Sequence, residues 1–112
     1  MFPQQHQDKF ARLRAHFLSG LPAREAELED LTATLLARGN CPETLEKLFI
    51  VTHKLAGICA TYGLTAAGQQ AALAESMIDR ARGARLTEAV LYEILLATDV
   101  LSDELRSIAG LE

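Results

Sequence analysis

The sequence predicts an all-α fold: an antiparallel four-helix bundle of up-down-up-down topology with an additional helix at its N-terminus. Three observations predict it. Apolar residues recur three and four positions apart along the chain, the period of a helix with one buried face. Alternating apolar and polar runs are absent, as are Asn-Gly and Asp-Gly hairpin turns, so a sheet has nothing to be built from. Glycine and proline punctuate the chain at Ser19-Gly20-Leu21-Pro22, Gly39-Asn40-Cys41-Pro42, Thr61-Tyr62-Gly63 and Arg82-Gly83-Ala84. Connections this short between long helices impose antiparallel neighbours.

The first helix, over roughly residues 7–19, carries Phe10, Leu13, Phe17 and Leu18 on one side, a stripe that needs cover and that places this helix as a cap or flank. The second, roughly 22–38, opens with Pro22, which a first helical turn tolerates, and buries Leu28, Leu31, Leu35 and Leu36. Glu25, Glu27, Glu29 and Asp30 form an acidic start suited to a helix N-terminus. The third, roughly 42–60, has Pro42 in its first turn and Leu45, Leu48, Thr52, Leu55 and Cys59 as its inward stripe. The fourth, roughly 64–82, is lined by Ala67, Ala71, Ala74 and Ile78, joined by Leu73 and Met77; its small residues let a neighbouring helix come close. The fifth, roughly 86–109, repeats the spacing with Leu86, Val90, Leu91, Ile94, Leu95, Leu101, Leu105 and Ile108.

At 112 residues, with 49% apolar and 23% charged, the chain has the size and composition of one domain, residues 1–112, with one core. A formal net charge of -4 without a basic stripe argues against nucleic-acid binding. No apolar run approaches the roughly 20 residues of a membrane span, and the first ten residues lack the basic-then-apolar layout of a signal peptide. A cytoplasmic monomer is expected. Cys41 and Cys59 have no C-x-x-C partner, so they read as reduced thiols, Cys59 as a core residue.

Chemistry concentrates in the third helix, Leu48-Phe49-Ile50-Val51-Thr52-His53-Lys54-Leu55-Ala56-Gly57. At 100° per residue His53 falls about 120° from the centre of the inward stripe, at the margin of the core and partly facing solvent. Gly57 lies one turn beyond it on the same face, although a mid-helix glycine costs about 1 kcal/mol relative to alanine. A missing side chain beside an imidazole lets another macromolecule reach the ring. Ile50, one turn before and outward, adds an apolar contact where a polar residue is expected.

This stretch resembles the signature of histidine-containing phosphotransfer (HPt) domains: a histidine, a leucine two positions on, a glycine two further and a second glycine six later, filled here by His53, Leu55, Gly57 and Gly63. The likeness extends to the preceding Leu21-Pro22 helix start and to the alanine-rich helix after Gly63, covering roughly residues 10–80. It implies a relay in two-component signalling. A receiver domain of a response regulator or hybrid histidine kinase docks on the histidine helix over Phe49, Ile50 and Gly57. His53, reacting as a neutral imidazole, a form that histidine offers near pH 7, takes the phosphoryl group from the receiver's phosphoaspartate and later gives it to another receiver aspartate. It also implies no cofactor and no metal ligand on this chain, magnesium coming with the receiver. One departure stands out: many members carry lysine three positions after the histidine, and here that position is Ala56, leaving Lys54 as the cation that could hold phosphoryl oxygens.

Other residues read more plainly. His6 and His16 lack comparable surroundings and are surface residues, and Lys47 is a solvated helix edge. Gln69 and Gln70 open the facing helix, where either could hydrogen-bond the imidazole. Arg80, Arg82 and Arg85 sit where they neutralise a helix C-terminus. Ser76, Cys59 and Asp79 come without a nucleophile elbow or oxyanion loop, and no nucleotide-binding loop is present, so autonomous enzyme or kinase activity is not expected. The alternative to a phosphocarrier is a helical adaptor that binds receiver or kinase domains without taking phosphate, a reading that Ala56 keeps open.

Overall fold

Local sequence chemistry sets the helix boundaries in the computed structural model, which describes residues 4–39 and 41–111. Helix α1 spans Gln4–Ser19, α2 Leu21–Arg38, α3 Pro42–Thr61, α4 Thr65–Arg82 and α5 Glu88–Ala109, with no strand among the described residues. Pro22 and Pro42 sit in the first turns of α2 and α3, where a missing N–H leaves no hydrogen bond unmade. The fifth helix begins later than its apolar period suggests. Thr87 accepts a hydrogen bond from the Val90 N–H at 3.2 Å, so it caps the helix and leaves Leu86 outside it. The expected break at Asn40 and the reading of the first three residues, Met1 to Pro3, fall outside the described residues.

Helices α2 to α5 form a closed ring of neighbours, α2 on α3, α3 on α4, α4 on α5 and α5 back on α2, which is the antiparallel bundle expected. Its core contains Leu28 and Leu35 of α2, Leu48, Leu55 and Cys59 of α3, Ala67, Ala71, Ala74 and Ile78 of α4, and Ile94, Leu101 and Leu105 of α5. Thr52 is buried among them, its hydroxyl donating to the Leu48 carbonyl at 2.9 Å, so its polarity is satisfied inside its own helix. Cys41 and Cys59 are both free, and burial raises the pKa of the Cys59 thiol, keeping it protonated.

Helix α1 covers one end of this bundle. Phe17 is buried, stacking on Tyr62 at 5.6 Å, and Arg14 Nε donates to the Tyr62 carbonyl at 2.9 Å. Because α1 leans on the α3–α4 turn rather than lying along the bundle, Phe10 and Leu13 remain exposed instead of forming a covered stripe. Three further expectations are corrected. Leu36 is exposed, being about 100° around the helix from Leu35. Leu73 likewise points to solvent, outside the alanine stripe of α4. Glu25 is not part of an acidic surface: three and four positions from Leu28 and Leu21, it shares their inward face. Ser102 Oγ donates to its carboxylate at 2.6 Å and Arg106 Nη1 lies 3.4 Å away, tying α2 to α5. The hydrogen bond and negative charge of Glu25 in turn raise the pKa of Glu29.

No helix among the described residues is long and apolar enough to cross a membrane.

Candidate functional site

The α3–α4 hairpin sets the register of the site. Gly63 turns the chain at φ 76°, a conformation few side chains tolerate, and the Leu64 N–H donates to the Cys59 carbonyl at 2.9 Å. From that turn α4 runs antiparallel and very close to α3. Gly68 is buried, and a Cβ added there would stand 3.4 Å from the Ala60 nitrogen and 3.6 Å from the Cys59 Cβ. Cys59 thus lies opposite Gly68, and each step back along α3 is matched by a step forward along α4. His53 faces Glu75, and Glu46 faces Arg82.

His53 is prominently exposed, its side chain 66% accessible, while its Nδ1 lies 3.0 Å from Glu75 Oε2. A carboxylate can only accept, so the proton of this bond sits on Nδ1. The neutral ring then carries its lone pair on Nε2, turned away from Glu75. One face of the imidazole stacks on Phe49, one turn earlier, with centroids 5.8 Å apart and planes 14° from parallel. Phe49 is braced in turn by Arg82, whose guanidinium carbon lies 3.5 Å from the ring centroid. Hydrogen bonds of 2.7 Å to Asp79 and to Glu46 fix that guanidinium and raise its pKa further. The imidazole is thereby held by one hydrogen bond and one stacked ring, with a nucleophilic nitrogen left open.

The remaining predicted residues surround it unevenly. Ile50 is exposed, and a Cβ built on Gly57 would meet nothing within 4 Å, so the face running from Ile50 past His53 to Gly57 is open. Lys54 lies on the other flank, lining with Arg24, Lys47 and Ile50 a groove between α2 and α3. Ala56 lies half-buried on the α4 flank, in a groove shared with Gly68 and Gln69.

Neither Gln69 nor Gln70 contacts the imidazole. Both stand too near the turn, opposite the last turns of α3; Gln70 points instead toward α5, where its buried Oε1 has no hydrogen-bond partner among the described residues. Arg82, expected from sequence only to neutralise a helix C-terminus, instead binds Glu46 and Asp79 and braces Phe49. Glu75 belongs to no motif, yet counting outward from the Tyr62–Leu64 turn places it opposite His53. No group of three His, Cys, Asp or Glu side chains that could hold a metal ion occurs among the described residues.

The family model described as "Hpt domain" matches residues 7–109. No curated protein and no solved structure matches the chain significantly.

Proposed function

Because the chain belongs to the Hpt domain family, whose members carry out histidine phosphotransfer in phosphorelays, we propose that His53 takes a phosphoryl group from the phosphoaspartate of a receiver domain and relays it to the aspartate of another. The observation that carries this reading is the exposed imidazole whose Nδ1 is committed to Glu75, leaving the Nε2 lone pair free. Nε2 attacks phosphorus, the N–P bond forms as the acyl-phosphate P–O bond breaks, and the receiver aspartate leaves as a carboxylate. The proton stays on Nδ1 throughout. The ring becomes positively charged, and the Glu75 carboxylate stabilises it at hydrogen-bond distance. Transfer to the next receiver reverses these steps.

In this reading residues 1–112 act as one domain, a phosphocarrier and not an enzyme with a reaction of its own. Receiver domains dock over Phe49, Ile50 and Gly57, and the magnesium ion belongs to the receiver. Incubation with a phosphorylated receiver domain tests it: acid-labile, base-stable label on the chain is the expected product. A chain that binds the receiver and never takes label is the adaptor instead.

Glu75 gives a sharper test. Glu75→Ala removes an ionic hydrogen bond of about 1.5–3 kcal/mol, so transfer is expected to slow by about tenfold or more. The Nδ1–H tautomer of His53, read from ring ¹⁵N shifts, falls with it, and Glu75→Gln, which keeps an acceptor, recovers part of both. Unchanged tautomer and rate in Glu75→Ala would remove Glu75 from the mechanism.

Lys54, across the helix, supplies a weaker contribution that partly replaces the missing cation at position 56. Lys54→Ala is expected to slow transfer or shorten phosphohistidine lifetime by at most about fivefold, the equivalent of a solvated ion pair of about 1 kcal/mol. Ala56→Lys does the opposite, since a lysine there extends into an open groove one turn from His53. Equal kinetics in all three proteins would show that no side-chain cation of α3 matters.

A further inference from the structure

On the side of the bundle away from α3, α4 and α5 border an apolar groove of about 290 Å³. Leu73, Leu96 and Val100 line it at 54%, 67% and 51% exposure, joined by Met77. An isolated exposed leucine is ordinary, whereas several converging on one groove mark a surface that is covered in use. Leu73, Leu96 and Val100 take no part in the core, Met77 packs against its edge, and none of the four belongs to the His53 site.

The two ends of the groove carry opposite charge. One turn beyond Met77 along α4 stands Arg80, with Arg85 past the helix end; Glu93 of α5 lies between them and the groove centre, leaving this end net positive. One turn beyond Val100 along α5 stand Asp103 and Glu104. Among the described residues, Arg80, Asp103 and Glu104 form no salt bridge. Arg80 donates only to the Ser76 carbonyl of its own helix, at 3.4 Å. At 1.5 Å per residue, Arg80 lies about 10 Å to one side of Leu73, and Glu104 about 10 Å to the other side of Ala97, the residue level with Leu73. Unpaired positive and negative groups therefore sit at equal distances from the middle of an apolar stripe.

We propose that this face joins two copies of the chain as a symmetric dimer, with the α4–α5 pair of one copy antiparallel to that of the other. A two-fold axis through the groove centre, perpendicular to the helices, brings Leu73, Leu96 and Val100 of both copies together. It also sets Arg80 of each against Asp103 and Glu104 of the other. An axis parallel to the helices would instead oppose Arg80 to Arg80 and Asp103 to Asp103. The dimer leaves both His53 faces open, because α3 takes no part in it. On this proposal the chain pairs where the sequence alone leads to the expectation of a monomer, since helical period by itself does not distinguish Leu73 as exposed.

Sedimentation of the full chain from micromolar to near-millimolar concentration tests the assignment. Wild type is expected to show a reversible monomer–dimer equilibrium, and Leu96→Glu, at an exposed position, to weaken it by at least about tenfold while circular dichroism stays unchanged. Arg80→Glu alone weakens it by several-fold, by facing a new carboxylate toward two others. Combining Arg80→Glu with Asp103→Arg and Glu104→Arg restores association. A wild type that stays monomeric throughout overturns the proposal, since then a different partner or none covers the groove. So does a dimer indifferent to Leu96→Glu, or a charge reversal that does not recover.

Discussion

Replacing His53 by glutamine is expected to abolish phosphoryl transfer while leaving the melting temperature within about 2–4 °C of wild type. The two halves of this expectation have separate causes. Glutamine has no ring nitrogen with a free lone pair, so no N–P bond can form at position 53. The fold loses little, because the side chain is two-thirds accessible, its packing is confined to one face of Phe49, and the glutamine amide is itself a donor for the Glu75 carboxylate that His53 Nδ1 meets at 3.0 Å. Surface substitutions of this kind change stability by about 0.5 kcal/mol or less, which for a domain of this size is a few degrees. The same substitution at His6 or His16, both exposed and with no ring contact or side-chain hydrogen bond among the described residues, leaves labelling at the wild-type level. Label on His53→Gln equal to wild type would sink the assignment, and loss of label on His16→Gln would mean that a second histidine takes part.

How legible each part of the site is depends on how far its cause lies from the residue itself. His53, Ile50 and Gly57 are visible because the helical period alone decides which way they face, and a glycine without a folding role stands out on an exposed face. Gly63 is visible for a similar reason: it ends a helix, and it adopts positive φ there. Glu75 is hidden from motif reading because its role depends on register between two helices, not on its own neighbours in sequence. Gln69 and Gln70 are drawn to attention by being near the turn, and that nearness is what carries them past the ring. Register is nonetheless countable once the turn is located, since antiparallel neighbours advance in step. Glu25 shows the opposite failure. A glutamate in a helix start reads as a solvated dipole partner, and only the arrival of Ser102 and Arg106 from the far end of the chain makes its burial tolerable. Those partners are long-range contacts that no local pattern announces.

Gly57→Gln is expected to separate folding from docking, because the two energies act in opposite directions. On an exposed helical position, a side chain with good helix propensity stabilises the isolated protein by up to about 1 kcal/mol relative to glycine. The structure offers no steric objection: a Cβ at position 57 meets nothing within 4 Å, so a longer side chain has open space to enter. The variant should therefore melt no lower than wild type, and Gly57→Ala somewhat higher. Against a docked receiver the balance reverses. The surface formed by Phe49, Ile50, His53 and Gly57 must then meet a partner at the density of a protein interior, and a glutamine side chain occupies space the partner needs. Steric exclusion near the centre of an interface costs about 2 kcal/mol or more, so transfer from the receiver should slow by about thirtyfold or more. A small phosphodonor that needs no docked surface should still label the variant at close to the wild-type rate, which places the defect in docking and not in His53. Thermal melting and receiver transfer kinetics on one preparation decide the matter. A variant that melts well below wild type would show that Gly57 serves helix packing, and one that transfers from the receiver as fast as wild type would show that the partner approaches His53 from another side.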